Sequence, residues 1–230
     1  YMQDVVFHPI AVVRSAFPEK FGIPRQSGVV KSLVSEIEFL PEYSNESTLR
    51  GLEGFSHLWV LWYFSENDRE KWSPTVRPPR LGGNERRGVF ATRSPFRPNP
   101  IGLSLVKLET FGKKPDGKVF LRVSGADIMD GTPVFDIKPY LPFADSAENA
   151  KYGFAAEHEN EKLSVEFSNE AKKNIPENLL SVFADVLSED PRPAYQSDPE
   201  RIYSFEMYGF NVSFSVKENK LTVLNVKKEK

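Results

Sequence analysis

Residues 103–123, LSLVKLETFGKKPDGKVFLRV, decide the fold class. Leu103 to Phe111 and Lys118 to Val123 are strand-like runs, and the turn Lys113-Lys114-Pro115-Asp116-Gly117 separates them. Proline presets one turn dihedral and glycine accepts a positive φ, so the chain doubles back and the two strands run antiparallel. Similar segments, rich in β-branched or aromatic residues and bounded by Gly, Pro, Asn or Asp, fill the flanking sequence. They are Val5 to Arg14, Ser35 to Leu40, His57 to Phe64, Gly88 to Thr92 and Val134 to Tyr140. One short helix is expected at Ser44 to Leu52. No helix-length segment separates the strands, which predicts a mainly β antiparallel barrel or sandwich and argues against a doubly wound sheet.

From Ala144 to Glu161 the chain turns small and acidic and loses its periodicity, so a domain boundary is placed there, giving units of 1–144 and 145–230. The second unit reads as a smaller α+β domain. Its strands are expected at Leu163 to Phe167, Arg201 to Tyr208, Phe210 to Val216 and Leu221 to Val226, with an amphipathic helix from Pro176 to Leu187.

Composition narrows the function. The 230 residues carry a formal net charge of -2, so bulk charge does not make this a polyanion binder and any nucleic-acid site must be local. There is no cysteine, and His8, His57 and His158 form no metal-binding pair, so no metal is expected. The longest apolar run, Leu58 to Phe64, is far below the roughly 20 residues that cross a bilayer, and no basic-then-apolar leader opens the chain. The expectation is a cytoplasmic protein with no membrane partner. No two glycines are separated by one residue and no GKS or GKT occurs, which excludes Rossmann and P-loop phosphate sites.

The unusual stretch is Pro74 to Pro100, PTVRPPRLGGNERRGVFATRSPFRPNP. Between Arg77 and Arg97 six arginines face a single acid, Glu85, for a local charge of +5. The guanidinium fork pairs bidentately with phosphate and stacks on bases, so the loop is a candidate polyanion site. Pro24-Arg25-Gln26, the segment from Gly125 to Gly131, and Asp136-Ile137-Lys138-Pro139-Tyr140 put charged and polar groups at strand ends, where barrels assemble ligand sites.

With these residues in view the sequence resembles the TsaA-like, TrmO family of tRNA methyltransferases. The resemblance runs through Ile10 to Ser15, Glu19 to Phe21, Pro24 to Gln26, Arg50 to Trp59, Pro74 to Gly102, Asp127 to Tyr140 and Asp190-Pro191-Arg192-Pro193-Ala194-Tyr195. It implies an antiparallel β-barrel that binds S-adenosyl-L-methionine, a smaller C-terminal domain, a homodimer, and methyl transfer to N6 of N6-threonylcarbamoyladenosine at position 37 of tRNA. By motif, it places cofactor contacts at Pro24, Arg25, Gln26, Ser65, Glu66, Arg93, Leu103, Ser124, Gly125, Ala126 and Asp127.

The accepting N6 belongs to a urea and is a poor nucleophile while protonated, so a base or a stabilising hydrogen bond should help. Asp127, Asp130, Asp136 and Tyr140 are the candidates for proton handling, and Lys138 or Arg93 for stabilising developing charge or the threonyl carboxylate. The tRNA phosphates are expected on Arg77, Arg80, Arg86, Arg87 and Arg97, with Arg192 added from the second domain. The rival readings are a non-catalytic RNA-binding barrel and a methyltransferase of another small molecule.

Overall fold

Alternating side chains of the first 140 residues roll six strands into a closed antiparallel barrel, in the computed structural model, which describes residues 4–67, 72–78, 85–158, 162–192 and 198–229. The strands in chain order are β1 (Ala11–Arg14), β2 (Val34–Phe39), β3 (His57–Tyr63), the two-residue pair β4 (Thr75–Val76) and β5 (Arg87–Gly88), β6 (Ile101–Lys113), β7 (Val119–Ser124) and β8 (Pro133–Pro139). Around the barrel they run β1-β2-β7-β6-β3-β8, while β4 and β5 pair separately. Period-two alternation turns Leu58, Val60 and Trp62 of β3 and Val119, Leu121 and Val123 of β7 into one interior with Val13 and Ile37. The hairpin read from residues 103–123 is β6 and β7. At thirteen residues β6 is long enough to pair with β3 through its first half and β7 through its second, and the register shifts between Leu108 and Thr110 where it bends.

Two sequence expectations inside the barrel are corrected. Gly88 to Thr92 is not a strand: only Arg87–Gly88 pairs, and Val89–Ala91 is a 3₁₀ turn that buries Val89 and exposes Phe90. Ser44 to Leu52 is not one helix. Pro41–Tyr43, Glu46–Leu49 and Leu52–Gly54 are three separate 3₁₀ turns, and Gly51 between the last two stands at φ 94°, outside helical space.

A one-turn helix, α1 (Pro142–Asp145), leaves the barrel, with its Asp145 Oδ2 accepting from the Trp59 indole at 3.0 Å. The second domain follows as β9 (Ser164–Phe167), α2 (Asn169–Asn174), α3 (Glu177–Ser188), β10 (Tyr203–Met207), β11 (Phe210–Lys217) and β12 (Lys220–Lys228). Its sheet runs β10-β11-β12-β9, with β9 parallel to β12. Helix α2 was not anticipated, although Ser168 is a ready N-cap whose Oγ accepts from the Ala171 N–H at 3.0 Å.

The second core is not made by the second domain alone. Phe17, Val30 and Leu33, from the long loop between β1 and β2, are buried with Phe183, Phe205, Phe214 and Leu221. In that loop Gly22 stands at φ 94° with the Phe205 ring against its Cα, where an added Cβ would lie 2.2 Å from a ring carbon. Gly22→Ala should therefore combine a left-handed backbone with overpacking, for a loss of about 3 kcal/mol in unfolding free energy. Urea denaturation followed by fluorescence checks this.

Candidate functional site

The loop anchored by Phe17 and Leu33 is carried past the end of the barrel where β3 finishes and β6 begins. There it is tied down on three sides. The Lys20 ammonium donates to the Glu66 carbonyl, Arg93 Nη1 donates to Gln26 Oε1 at 2.6 Å, and Arg25 Nη2 donates to the carbonyls of Asp190 and Arg192 at 3.2 and 2.9 Å. A cavity of about 610 Å³ opens between this loop, the end of β3, the start of β6 and the loop of residues 92–99.

Much of the predicted cofactor set meets in that cavity. Pro24, Arg25, Gln26, Ser65, Glu66, Arg93, Leu103 and Asp127 line it. Ser124, Gly125 and Ala126 do not, for a local reason. The Ser124 hydroxyl donates to Glu109 at 2.6 Å, Ala126 is buried, and Gly125 exchanges backbone hydrogen bonds with Gly28 and Leu33, so these residues brace the loop from behind.

Asp127 is the most constrained polar group of the site. The Trp62 indole N–H donates to Ser104 Oγ at 2.9 Å, and that hydroxyl donates to Asp127 Oδ1 at 2.5 Å. Trp62 takes this position because Gly102 lacks a side chain: a Cβ there would lie 2.2 Å from the indole. Burial pushes the Asp127 carboxyl above the ordinary aspartate value, opposed by the Ser104 hydrogen bond and the positive charge of Arg93. Sequence reasoning missed Trp62, Ser104 and Lys20. The available signal was Ser104 itself, a hydroxyl at an inward position of β6 between Gly102 and Val106.

The other groups considered for proton handling and charge stabilisation, Arg93 apart, lie elsewhere. Asp130 Oδ1 accepts from the Ser15 N–H at 2.9 Å and closes a turn. Asp136 and Lys138 pair with each other at 2.8 Å on the outside of β8, and the Tyr140 ring packs against His57 and Trp59. Register explains the separation. Asp136 pairs with Leu61 on β3, whereas the cavity takes its β3 lining from Trp62 onward, and the Asp136 carboxylate is tied to Lys138.

Of the arginines, Arg97 lines the cavity and donates to the Thr92 carbonyl at 3.1 Å. Arg77 is exposed, Arg86 donates to Thr75 Oγ1 at 2.8 Å, and Arg87 pairs with Glu85 at 2.6 Å on the surface. Arg192 is turned inward onto Asp190. Arg80, with Pro193, Ala194 and Tyr195, lies outside the described residues. Among the described residues no three His, Asp or Glu side chains cluster to hold a metal ion, and no helix is long and apolar enough to cross a membrane.

This arrangement coincides with a known architecture. The family model of the tRNA-methyltransferase O N-terminal domain matches residues 12–146, and that of the TrmO C-terminal domain matches residues 160–229. The chain belongs to the TrmO family. Among TrmO relatives it is 45% identical over 224 residues to the tRNA (adenine(37)-N6)-methyltransferase of Escherichia coli K12, covering 94% of each chain. A crystal structure of TrmO from Pseudomonas aeruginosa superposes with a TM-score of 0.78 at 33% identity, over 98% of this chain and 100% of that one. A probable S-adenosyl-L-methionine-binding protein of Pyrococcus abyssi is 38% identical over 150 residues, 65% of this chain and 76% of that one. The TrmO N-terminal match spans every residue named above as lining the cavity.

The raised pKa of Asp127 has a consequence for stability. Its folded value exceeds its unfolded value, so the associated stability is present below 3.8, the ordinary aspartate value, and is lost as pH rises through the folded value. Asp127→Asn has no such loss. Its stability relative to the parent should increase with pH across that window and then level off, as urea unfolding of both proteins from about pH 3.5 to 7 would show.

Proposed function

We propose that this chain is an S-adenosyl-L-methionine-dependent tRNA adenine-N6-methyltransferase acting on N6-threonylcarbamoyladenosine at position 37, next to the anticodon. The observation that carries the reading is the cavity, which joins Pro24-Arg25-Gln26, Ser65-Glu66, Arg93, Leu103 and Asp127 from separate parts of the chain. Its volume suits a nucleoside-sized ligand. Its lining also fits the donor chemically: Trp62 and Phe64 offer ring surface, Asp127 and Glu66 offer negative charge toward a cationic sulfur and an amine, and Arg25 and Arg93 offer forks for a carboxylate.

Bound there, S-adenosyl-L-methionine supplies a methyl group on positively charged sulfur. The residues of the chain hold the donor, keep water away and present the acceptor nitrogen in line. Asp127 combines contact with the cavity and a raised pKa, which supports it over Asp130, Asp136 and Tyr140 as the group that receives the N6 proton. Arg97, at the cavity wall, balances the threonyl carboxylate in this reading. Arg77, Arg86 and Arg87 extend the positive surface outward for tRNA phosphates. In this reading residues 1–144 carry the donor site and residues 145–230 form the smaller domain, the protein is a homodimer, and it works in the cytoplasm.

Two measurements test this. Calorimetric titration with S-adenosyl-L-methionine should give binding that Arg25→Ala or Asp127→Ala weakens at least about tenfold, equivalent to about 1.4 kcal/mol. A non-catalytic RNA-binding barrel would give no heat, and nucleoside mass spectrometry of tRNA treated with enzyme and donor separates tRNA from small-molecule methylation.

The arginine loop has its own signature. The Arg86→Ala/Arg87→Ala double variant should bind tRNA more weakly, with a slope of log affinity against log salt shallower by between about one and two units, while its donor titration stays normal. Filter binding over a salt series reads the slope.

A further inference from the structure

Among the described residues, the cavity lining falls between Lys20 and Thr132, so the second domain contributes no side chain to it. That domain nevertheless grips one wall of the cavity. Arg25 lies 165 residues from Asp190 in sequence, yet its Nη2 donates to the carbonyls of both Asp190 and Arg192. Those carbonyls are aimed by a fork beneath them. Arg192 Nε and Nη2 donate to Asp190 Oδ1 and Oδ2, both at 2.8 Å, and the Arg192 N–H donates to Oδ1 at 3.3 Å. Asp190 follows the last turn of α3 at φ 51°, a left-handed conformation that Asp and Asn tolerate better than most residues.

We propose that the Asp190–Arg192 turn is a positioning element of the donor site, which sets the Arg25 side chain and through it the Pro24-Arg25-Gln26 wall. The proposal rests on the reading of that wall as the S-adenosyl-L-methionine site. It gives Arg192 a different task from phosphate binding. The Arg192 side chain is 14% exposed, and its Nε and Nη2 are engaged by Asp190, which leaves little of it to meet a tRNA backbone. The rest of the interface points the same way. Ser32 Oγ donates to Asp185 of α3, and Phe17, Val30 and Leu33 enter the second core, so the loop is held at both ends while the turn holds its middle.

The test is calorimetric titration of the full chain with S-adenosyl-L-methionine, together with the KM for tRNA at saturating donor. Arg192→Ala should weaken donor binding about tenfold and leave the KM for tRNA unchanged. In an Arg25→Ala background the same substitution should change donor affinity less than about twofold, because the group it positions is gone. Asp190→Asn keeps a residue suited to the left-handed turn and removes the charge pairing. It should weaken donor binding several-fold with unchanged tRNA KM, and it carries the test if Arg192→Ala does not fold. Arg192→Lys, which cannot reproduce the fork, should fall between parent and Arg192→Ala. The proposal is overturned if Arg192→Ala raises the tRNA KM with donor affinity intact, or if its effect on donor binding is undiminished in the Arg25→Ala background. A parent that does not bind the donor overturns the functional reading itself, and that failure is visible before any variant is compared.

Discussion

The burial of one loop in another domain's core is the constraint on which the site depends. The chain between β1 and β2 is too long for a tight turn and carries Phe17, Val30 and Leu33, apolar side chains that the barrel interior does not take. Burying them against Phe183, Phe205 and Phe214 removes them from water, a gain of roughly 1.5–3 kcal/mol for each large side chain. Phe21, Gly22 and Ile23 pack on the same core, so segment 20–26 is pinned at the edge of the cavity. Without the second core it would be an exposed loop, and ordering it on ligand binding would cost conformational entropy.

A second chain of dependence runs through the barrel. Gly102 admits the Trp62 indole, which donates to Ser104, which donates to Asp127. Each step satisfies a buried polar group, and the result is a carboxylate held in one orientation and raised in pKa by its surroundings. A group that accepts a proton or faces a cation benefits from such fixing, because reorientation is not needed when the ligand arrives. The charged surface elsewhere does simpler work. Lys114, Lys118 and Arg122 pair with Glu36 and Glu38 on the outer face of β2 and β7, and these partly solvated pairs add little beyond local order.

Local sequence was enough for the six barrel strands and the four strands of the second sheet, because alternation and turn chemistry act over a few residues. The hairpin at 103–123, the amphipathic helix α3 and the absence of nucleotide loops were all legible that way. So was the anomaly of the arginine loop, since a charge cluster needs no folding to be counted. Gly88 to Thr92 misled because a β-rich composition in a proline-bounded loop still needs a partner strand, and only two residues found one.

What required the folded chain was every relation between distant residues. Asp127 and Asp136 look alike in sequence, but one lies beside Ser104 in the cavity and the other on the outside of β8, a difference set by barrel closure and register. Arg192 reads as a free cation until the left-handed Asp190 beside it is seen to fold the guanidinium back on itself. The grip of the second domain on Arg25 spans 165 residues, and no periodic pattern encodes a contact of that separation. Periodicity reports which face a side chain occupies, whereas the register and path of the chain decide what that face meets.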